Sequence, residues 1–199
     1  MGRPRRYDED QLLDAAQELF WSRGYDRTSM EDVSAASGVG TSSLYAAYAS
    51  KLGLFLGVFR RYCEGRVSFV AEATAAPSAD LAVAAAQFLE RVVDECGSSA
   101  DRRGCLMLNT IVELGDRFPE VLDISTATTE RMEDVLAAKF LRTAAAQDLV
   151  LDAAEARAHA ERTVLASQGL IQLSRLRVPH ERLAALAAHS ARGSVWESA

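Results

Sequence analysis

The stretch TSMEDVSAASGVGTSSLYAAYASK, residues 28–51, decides the fold of the N-terminal part of the chain. Two short helical segments lie on either side of Ser37-Gly38-Val39, which interrupts the helical spacing. Gly38 can adopt the positive φ that a tight turn between helices needs, and Val39 is expected to be buried beneath that turn. These proportions are typical of a helix-turn-helix, whose second helix enters the major groove of DNA with its N-terminal residues on base edges.

The residues around this pair extend it to a three-helix unit. A first helix is predicted from about Asp8 to Arg23, with a capping box of Asp8 and Gln11 at its start and Gly24 at its end. A second capping box, Thr28 with Glu31, is expected to begin the second helix. The third helix is predicted from about Gly40 to Tyr48. Ser50 is expected to cap a fourth helix.

Helical spacing continues to the C-terminal end, and no sustained strand pattern occurs in the sequence. Six further helices are predicted, near residues 50–75, 78–97, 105–114, 119–146, 152–177 and 179 onward, the eighth with a capping box of Asp152 and Glu155. The fold class is therefore all-α with about nine helices. We expect a helix-turn-helix domain over residues 1–51 and a larger helical domain over residues 52–199.

Composition excludes several classes of protein. Of the 199 residues 49% are hydrophobic, enough for a sizeable core. There is no run of eighteen uncharged apolar residues and no apolar leader, so we expect a cytoplasmic protein without a membrane span. Three cysteines without metal-like spacing argue against a disulfide framework and against zinc. We expect no metal and no cofactor.

Charge counts against nucleic-acid binding. The net charge is −6, and residues 1–51 carry six basic against eight acidic side chains. A broad basic face is therefore absent from the helix-turn-helix segment itself. Contacts to DNA phosphates would have to come from a local N-terminal arm, from helix N-termini and from hydroxyl groups.

The N-terminal quarter of the chain resembles the DNA-binding domain of TetR/AcrR regulators. The resemblance rests on LLDAAQELFWSRGY at residues 12–25, TSM at residues 28–30 and GVGTSSLYAAYASK at residues 38–51. It combines an Ala-x-x-Leu-Phe first helix, a Gly-Tyr turn, a threonine before the second helix, the Gly-Val turn and Leu-Tyr followed by a lysine. It implies a homodimeric transcriptional repressor that binds double-stranded operator DNA and is released by a small-molecule inducer.

The resemblance also implies roles in DNA binding. Thr28 and Ser29, at the start of the second helix, would contact a phosphate, as would Lys51 at the start of the fourth helix. The two tyrosines of the third helix would lie against the DNA backbone. Base edges would face the N-terminal part of that helix, and the N-terminal arginines would reach along the DNA. The full predicted set is Arg3, Arg5, Arg6, Thr28, Ser29, Gly40, Thr41, Ser42, Ser43, Tyr45, Ala47, Tyr48 and Lys51.

A ligand pocket is expected among the fourth to eighth helices, for a mostly apolar small molecule of unknown identity. The candidate lining residues are apolar side chains with a few polar anchors: Phe59, Tyr62, Phe88, Cys105, Met107, Asn109, Met132, Phe140, His159 and Gln168. Each of these side chains could instead belong to the core.

The last two helices are expected to form the dimer interface, as the resemblance implies. The eighth helix carries a face of mostly small side chains, Ala156, Ala160, Val164, Ser167 and Ile171, which would let two helices approach closely. The same face could instead pack inside one chain.

Cys105 supports a second hypothesis, in which an electrophile or oxidant acts on the protein in place of a reversibly bound inducer. It lies in RRGCLMLN, residues 102–109, which resembles a Gly-Cys-Leu stretch of electrophile and oxidant sensors in the same family. A cysteine at a helix N-terminus beside two arginines is expected to be a reactive thiolate, and Cys96 could act as its resolving partner. The alternative is that Cys105 is a small apolar core residue.

Two other classes of protein remain as rivals. Three cysteines and three histidines could supply a nucleophile and a base, but no hydrolase, phosphate-loop, dinucleotide or metal motif appears, so no catalytic residues are expected. A helical adaptor that binds no DNA would fit the acidic balance. Salt-dependent binding to DNA would separate it from a repressor.

Overall fold

The computed structural model describes residues 7–98 and 103–194. Within these residues the regular structure consists of nine α-helices: α1 Glu9–Arg23, α2 Met30–Ser37, α3 Thr41–Tyr48, α4 Lys51–Ala73, α5 Leu81–Ser98, α6 Leu106–Leu114, α7 Pro119–Ala145, α8 Ala153–Arg175 and α9 His180–Ser194. The all-α prediction is confirmed. The arm residues Arg3, Arg5 and Arg6 lie outside the described residues.

Asp8 caps α1 as predicted, although its hydrogen bonds are not the reciprocal pair of a capping box with Gln11, and the start of α2 corrects the sequence analysis. The Asp8 carboxylate accepts the N–H groups of Asp10 and Gln11 at the start of α1. The capping box of α2 is formed by Ser29 and Asp32, one residue later than predicted. The reason is that Thr28 is buried and donates its hydroxyl to the Gly24 carbonyl at 2.9 Å. Thr28 therefore closes the preceding turn, and the half-buried next residue, Ser29, caps the helix.

The turn between α2 and α3 is the predicted one. Gly38 has φ 71°, a left-handed conformation that favours glycine, and its N–H donates to the Ser34 carbonyl at the end of α2. Val39 beneath the turn is buried, and so is Leu44 of α3, a helix that packs against α2 and α4. One buried side chain in α3 and two in α2 are enough here, because the three helices share one small core with α4.

The helix α4 joins the two parts of the chain without a linker. It begins at Lys51, directly after the α3 C-terminus, and packs against α1, α3, α5, α6 and α7. An aromatic cluster extends across the junction: the Phe55 ring lies 5.1 Å from that of Phe20 and 5.2 Å from that of Tyr25, and Tyr25 lies 5.5 Å from Phe118. The boundary predicted near residue 51 therefore falls inside continuous packing.

The second part is a bundle in which α5 and α7 pack against α8 and α9. Pro119 occupies the first turn of α7, and Asp152 with Glu155 forms the capping box of α8, both as predicted. The small-residue face of α8 (Ala156, Ala160, Val164, Ser167 and Ile171) is buried within the chain. The expectation that this face meets a second chain was therefore wrong, because α5 and α7 already cover it.

Most of the predicted pocket residues lie in this core. The side chains of Phe59, Phe88, Met107, Met132 and Phe140 are each at most 5% exposed and pack in one hydrophobic cluster. Helical spacing places these side chains away from solvent correctly, but neighbouring helices fill the space between them. None of these five side chains lines the cavity of about 660 Å³ between α1 and the bundle. Their role in binding a ligand stays a prediction.

Candidate nucleic-acid interface and adjoining cavity

The outer surface of α3 is small and rich in hydroxyl groups at its N-terminal end. Gly40, Ser42 and Ser43 are exposed, Thr41 is half-buried, and Tyr45 is 47% exposed one turn later. No side chain caps this helix at Gly40. The first N–H groups of α3 therefore point outward with the positive end of the helix dipole, which suits an anion or an acceptor on a base edge. Ala47 is half-buried beside them.

The start of α2 lies beside this surface. The Ser29 hydroxyl donates to the Asp32 carboxylate at 2.6 Å, and the Ser29 backbone N–H donates to it at 2.8 Å. These two hydrogen bonds lower the pKa of Asp32, aided by the charges of Arg23 and Lys51. The carboxylate is thus held ionised and turned toward its own helix. Thr28, by contrast, has no exposed hydroxyl to offer, since it is 1% exposed.

Lys51 lies at the edge of the same region. Its ammonium group donates to the Asp26 carbonyl at 3.4 Å and stands 4.2 Å from the centre of the Tyr25 ring. Burial raises the pKa of Tyr25, so its ring is a neutral surface for the cation. Next to it, a Cβ at Gly53 would lie 2.1 Å from the Tyr48 carbonyl oxygen, so α4 can start this close to α3 only with glycine there.

Tyr48 is turned toward the protein. Its hydroxyl donates to the Glu9 carboxylate at 3.0 Å, and its ring lies beside Gly57, where an added Cβ would be 3.5 Å away. The residue therefore ties α3 to α1 and α4. Of the predicted DNA-contacting residues on α3, Ser42, Ser43 and Tyr45 are exposed, whereas the Tyr48 hydroxyl is bonded to Glu9 inside the protein.

A cavity of about 660 Å³ lies between this unit and the bundle. Its walls come from α1, α4, α5, α8 and the segment before α6, and it is lined by Gln17, Trp21, Arg61, Tyr62, Gly65, Arg66, Ser68, Phe69, Glu72, Glu95, Cys96, Arg103, Gly104, Cys105, Ile171 and Ser174. Of the predicted ligand residues, this cavity contains Tyr62 and Cys105. The sequence analysis missed Trp21, Arg66 and Arg103, because helical spacing gives no sign that α1 faces a space shared with the bundle.

Cys105 is the N-cap residue of α6 and lies on the cavity wall. The Tyr62 hydroxyl donates to its sulfur at 3.3 Å and accepts the Leu106 N–H at 3.2 Å. Burial raises the pKa of Tyr62 well above its ordinary value, so the phenol stays protonated as a donor. Cys96 lines the same cavity, and burial raises its pKa. Cys63 is buried, and burial raises its pKa to about 12.

The remaining predicted anchors serve the protein itself. The Asn109 amide donates to the Arg103 carbonyl at 2.9 Å and accepts from Arg175 at 2.6 Å, which fixes the segment before α6. His159 is buried with its ring 6.0 Å from that of Phe140 and its Nδ1 2.9 Å from Arg162. Gln168 is half-buried on α8 and does not line the cavity.

Comparison with known proteins agrees with this arrangement. Residues 12–58 match the family model "Bacterial regulatory proteins, tetR family". The chain is 32% identical over 131 residues to the HTH-type transcriptional repressor ComR of Escherichia coli K12, a match that covers 65% of the chain and 60% of ComR. The chain thus spans less than two thirds of this curated relative.

Solved structures extend the similarity over nearly the whole chain. A TetR transcriptional regulator from Rhodococcus sp. RHA1 is 32% identical with a TM-score of 0.59, covering 94% of this chain and 98% of that one. The chain belongs to the TetR family. A cysteine mutant of the TetR-family regulator CifR, solved with 26-base-pair operator DNA, is 29% identical with a TM-score of 0.76, covering 96% of this chain and 98% of CifR.

Membership of the TetR family makes the chain a DNA-binding transcriptional regulator and not an enzyme. Among the described residues, no helix is long and apolar enough to cross a membrane. The same residues contain no group of histidine, cysteine and carboxylate side chains that could hold a metal ion.

Proposed function

We propose that this TetR-family protein is a repressor that binds double-stranded operator DNA as a homodimer and is released by a small molecule. The observation that carries the proposal is the uncapped, hydroxyl-rich N-terminus of α3, with exposed Tyr45 one turn later. Such a helix end fits the major groove, where its N–H groups and hydroxyls meet base edges and phosphates. The similarity to the repressor ComR supports repression of transcription over activation.

The proposed contacts fall into two groups. Thr41, Ser42 and Ser43 face base edges, with Gly40 allowing close approach and Ala47 beside a thymine methyl group. Tyr45 and Lys51 contact phosphates, and the arm with Arg3, Arg5 and Arg6 follows the DNA backbone or the minor groove. Thr28, Ser29 and Tyr48 act indirectly, because their hydroxyls are bonded inside the protein.

The dimer is proposed to form through the outer faces of α8 and α9. Leu165 on α8 is 69% exposed and Leu176, the C-cap residue directly after α8, is 75% exposed, with the exposed residues Gly169 and Gln172 between them. Their spacing of four, three and four residues follows the helical repeat. Large exposed leucines in one stripe favour burial against a second copy, which would place two α3 helices on successive half-sites.

The inducer is proposed to bind in the cavity of about 660 Å³, a size typical of small-molecule sites. Because Gln17 and Trp21 of α1 form one wall, an occupant touches the DNA-binding unit directly. Release follows if the ligand prefers a conformer whose α3 helices no longer match the half-site spacing.

A second candidate signal is an electrophile or oxidant that acts on Cys105. The observation that favours it is the Tyr62 hydroxyl donating to the Cys105 sulfur within the cavity that also contains Cys96. A quinone would form a carbon–sulfur bond at Cys105 while the thiol proton passes to a quinone oxygen. A Cys105→Ser variant that still leaves DNA normally on quinone treatment contradicts this route.

Fluorescence anisotropy with the DNA upstream of the protein's own gene tests the main proposal. We expect saturable binding that competes with unlabelled copies of the same fragment and not with unrelated DNA. The affinity should fall steeply as salt is raised, because phosphate contacts release counterions. Equal binding to unrelated DNA, or none at low salt, contradicts the proposal.

A further inference from the structure

The cavity between α1 and the bundle has a wall of aromatic rings and arginines. The rings of Trp21 and Tyr62 meet edge to face with their centres 5.2 Å apart. The Arg103 guanidinium lies 4.3 Å from the centre of the Trp21 ring, and that of Arg66 lies 4.4 Å from the centre of the Phe69 ring. Planar side chains and planar cations thus line the same space, which suits a flat aromatic body.

The charge of this wall differs from that of the chain. Three arginines (Arg61, Arg66 and Arg103) line the cavity against two glutamates (Glu72 and Glu95), whereas the whole chain carries a net charge of −6. The Arg66 side chain is 12% exposed and the Arg103 side chain 25% exposed, so both cations are shielded from water. Because Arg66 is already paired with Glu95 at 2.7 Å and Arg61 with Asp14, Arg103 is the cation that an anionic occupant of this cavity could engage.

A buried donor also points to an acceptor in this cavity. The indole N–H of Trp21 is buried, and no hydrogen-bond partner for it occurs among the described residues. A buried N–H group without an acceptor is costly, because it has lost its hydrogen bond to water. An occupant that turns the Trp21 ring and places an oxygen beside its N–H would satisfy this donor.

Arg103 connects this site to the DNA-binding unit. Its guanidinium donates to the Glu18 carboxylate of α1 at 2.6 Å, and Glu18 is 61% exposed. A carboxylate in the cavity could offer Arg103 the same geometry and a planar partner that excludes water. The ligand and Glu18 would then compete for one cation, and binding of the ligand would loosen one of the contacts that hold α1.

We propose that this cavity binds a planar aromatic carboxylate, whose anionic group engages Arg103 and Trp21 in competition with Glu18. The proposal rests on the repressor function above for its effect on DNA, but binding itself is independent of DNA. The site lies between α1 and the bundle, so a bound ligand would directly affect the position of α1 in the DNA-binding unit.

The experiment uses 2-naphthoate as the probe and its neutral analogue 2-naphthamide, titrated into the full chain by calorimetry without DNA. We expect one naphthoate per chain and binding of the amide weaker by about tenfold or more, the factor typical of a charged hydrogen bond. Arg103→Gln should weaken the binding of naphthoate by about tenfold and leave the affinity for the amide unchanged. Arg91→Gln, which removes an exposed arginine of α5, is the matched control and should change neither.

Two further variants test the geometry. Trp21→Phe keeps an aromatic ring but removes the indole N–H, and it should weaken the binding of naphthoate several-fold. Glu18→Gln removes the competing carboxylate and should strengthen naphthoate several-fold, an outcome that a merely structural role of Glu18 does not produce. Equal affinity for naphthoate and its amide, no binding of either, or an unchanged affinity in Glu18→Gln overturns the proposal.

The effect on DNA is measured separately. Naphthoate should weaken binding of the upstream DNA by the wild-type protein and not by Arg103→Gln. If naphthoate binds as expected but the protein binds no DNA, the proposed repressor function is contradicted and the proposed ligand site is still supported. If DNA is bound and naphthoate is not, the ligand site fails alone.

Discussion

The backbone N–H of Tyr25 donates a 2.8 Å hydrogen bond to the carboxylate of Glu113, 88 positions away in the chain. Arg117 forms an ion pair with Asp26 at 2.8 Å beside it. Both contacts join the turn between α1 and α2 to the end of α6. The α6 helix begins at Cys105 on the cavity wall, so one short helix links the cavity to the DNA-binding unit.

Glu113→Ala should lower the free energy of unfolding by about 1 kcal/mol, because it leaves the Tyr25 N–H without its charged acceptor. Urea denaturation followed by circular dichroism measures this change. Glu130→Ala, at an exposed position in the middle of α7, is the control and should have little effect. Equal stability of both variants would show that the contact contributes nothing to the fold.

Ser29→Ala should cost about 1 kcal/mol of stability, because Ser29 and not Thr28 caps α2. The same variant should weaken DNA binding, since α2 supports α3. Thermal unfolding measures the first effect and anisotropy the second. Ser42→Ala, at an exposed site on α3, should weaken DNA binding without changing stability. A stable Ser29→Ala protein contradicts the assignment of the cap.

Stability should fall above pH 9 because of Cys63. Burial raises the pKa of this thiol from 9.0 to about 12, so the folded chain keeps its proton where the unfolded chain loses it. The contribution is complete below pH 9 and is lost as pH rises toward 12. At pH 10 the wild-type protein should have lost about 1 kcal/mol more stability, relative to pH 7, than Cys63→Ala. Parallel pH profiles for the two proteins would contradict this.

Charge on the outer face of α8 should break the dimer. A Leu165→Glu, Leu176→Glu double variant places two carboxylates in the proposed interface, where an unpaired buried charge is strongly unfavourable. Sedimentation at micromolar concentration should show a monomer that keeps its helical content. Val150→Glu replaces another exposed apolar side chain, 99% exposed and outside α8, and should remain dimeric. A dimer in the double variant would place the interface elsewhere.

Sequence reasoning worked where a signal is local. Gly38, Ser50, Pro119 and the Asp152–Glu155 pair each set a turn or a helix end through their own backbone and side-chain chemistry, and all of them are found as predicted. The one-residue error at Thr28 has the same origin, because both Thr28 and Ser29 can cap a helix. Only the buried hydrogen bond to Gly24 distinguishes them.

Sequence reasoning failed where the answer depends on what another helix covers. Phe88 and Phe140 were correctly placed on inward faces, but periodicity cannot show that neighbouring helices fill the space between them. The small face of α8 was assigned to a partner chain for the same reason. The wall that Trp21 and Arg103 form depends on contact between α1 and a segment 82 residues later, which no local pattern encodes.

The most direct test of DNA recognition by α3 is the affinity for the upstream DNA of four proteins: wild type, Tyr45→Phe, Lys51→Ala and the control Arg91→Gln. We predict that Tyr45→Phe and Lys51→Ala each weaken binding by about tenfold, and that Lys51→Ala also lowers the salt dependence, because one phosphate contact is lost. Arg91→Gln should bind as the wild type does. If Tyr45→Phe and Lys51→Ala both bind the DNA with wild-type affinity, recognition through α3 is contradicted.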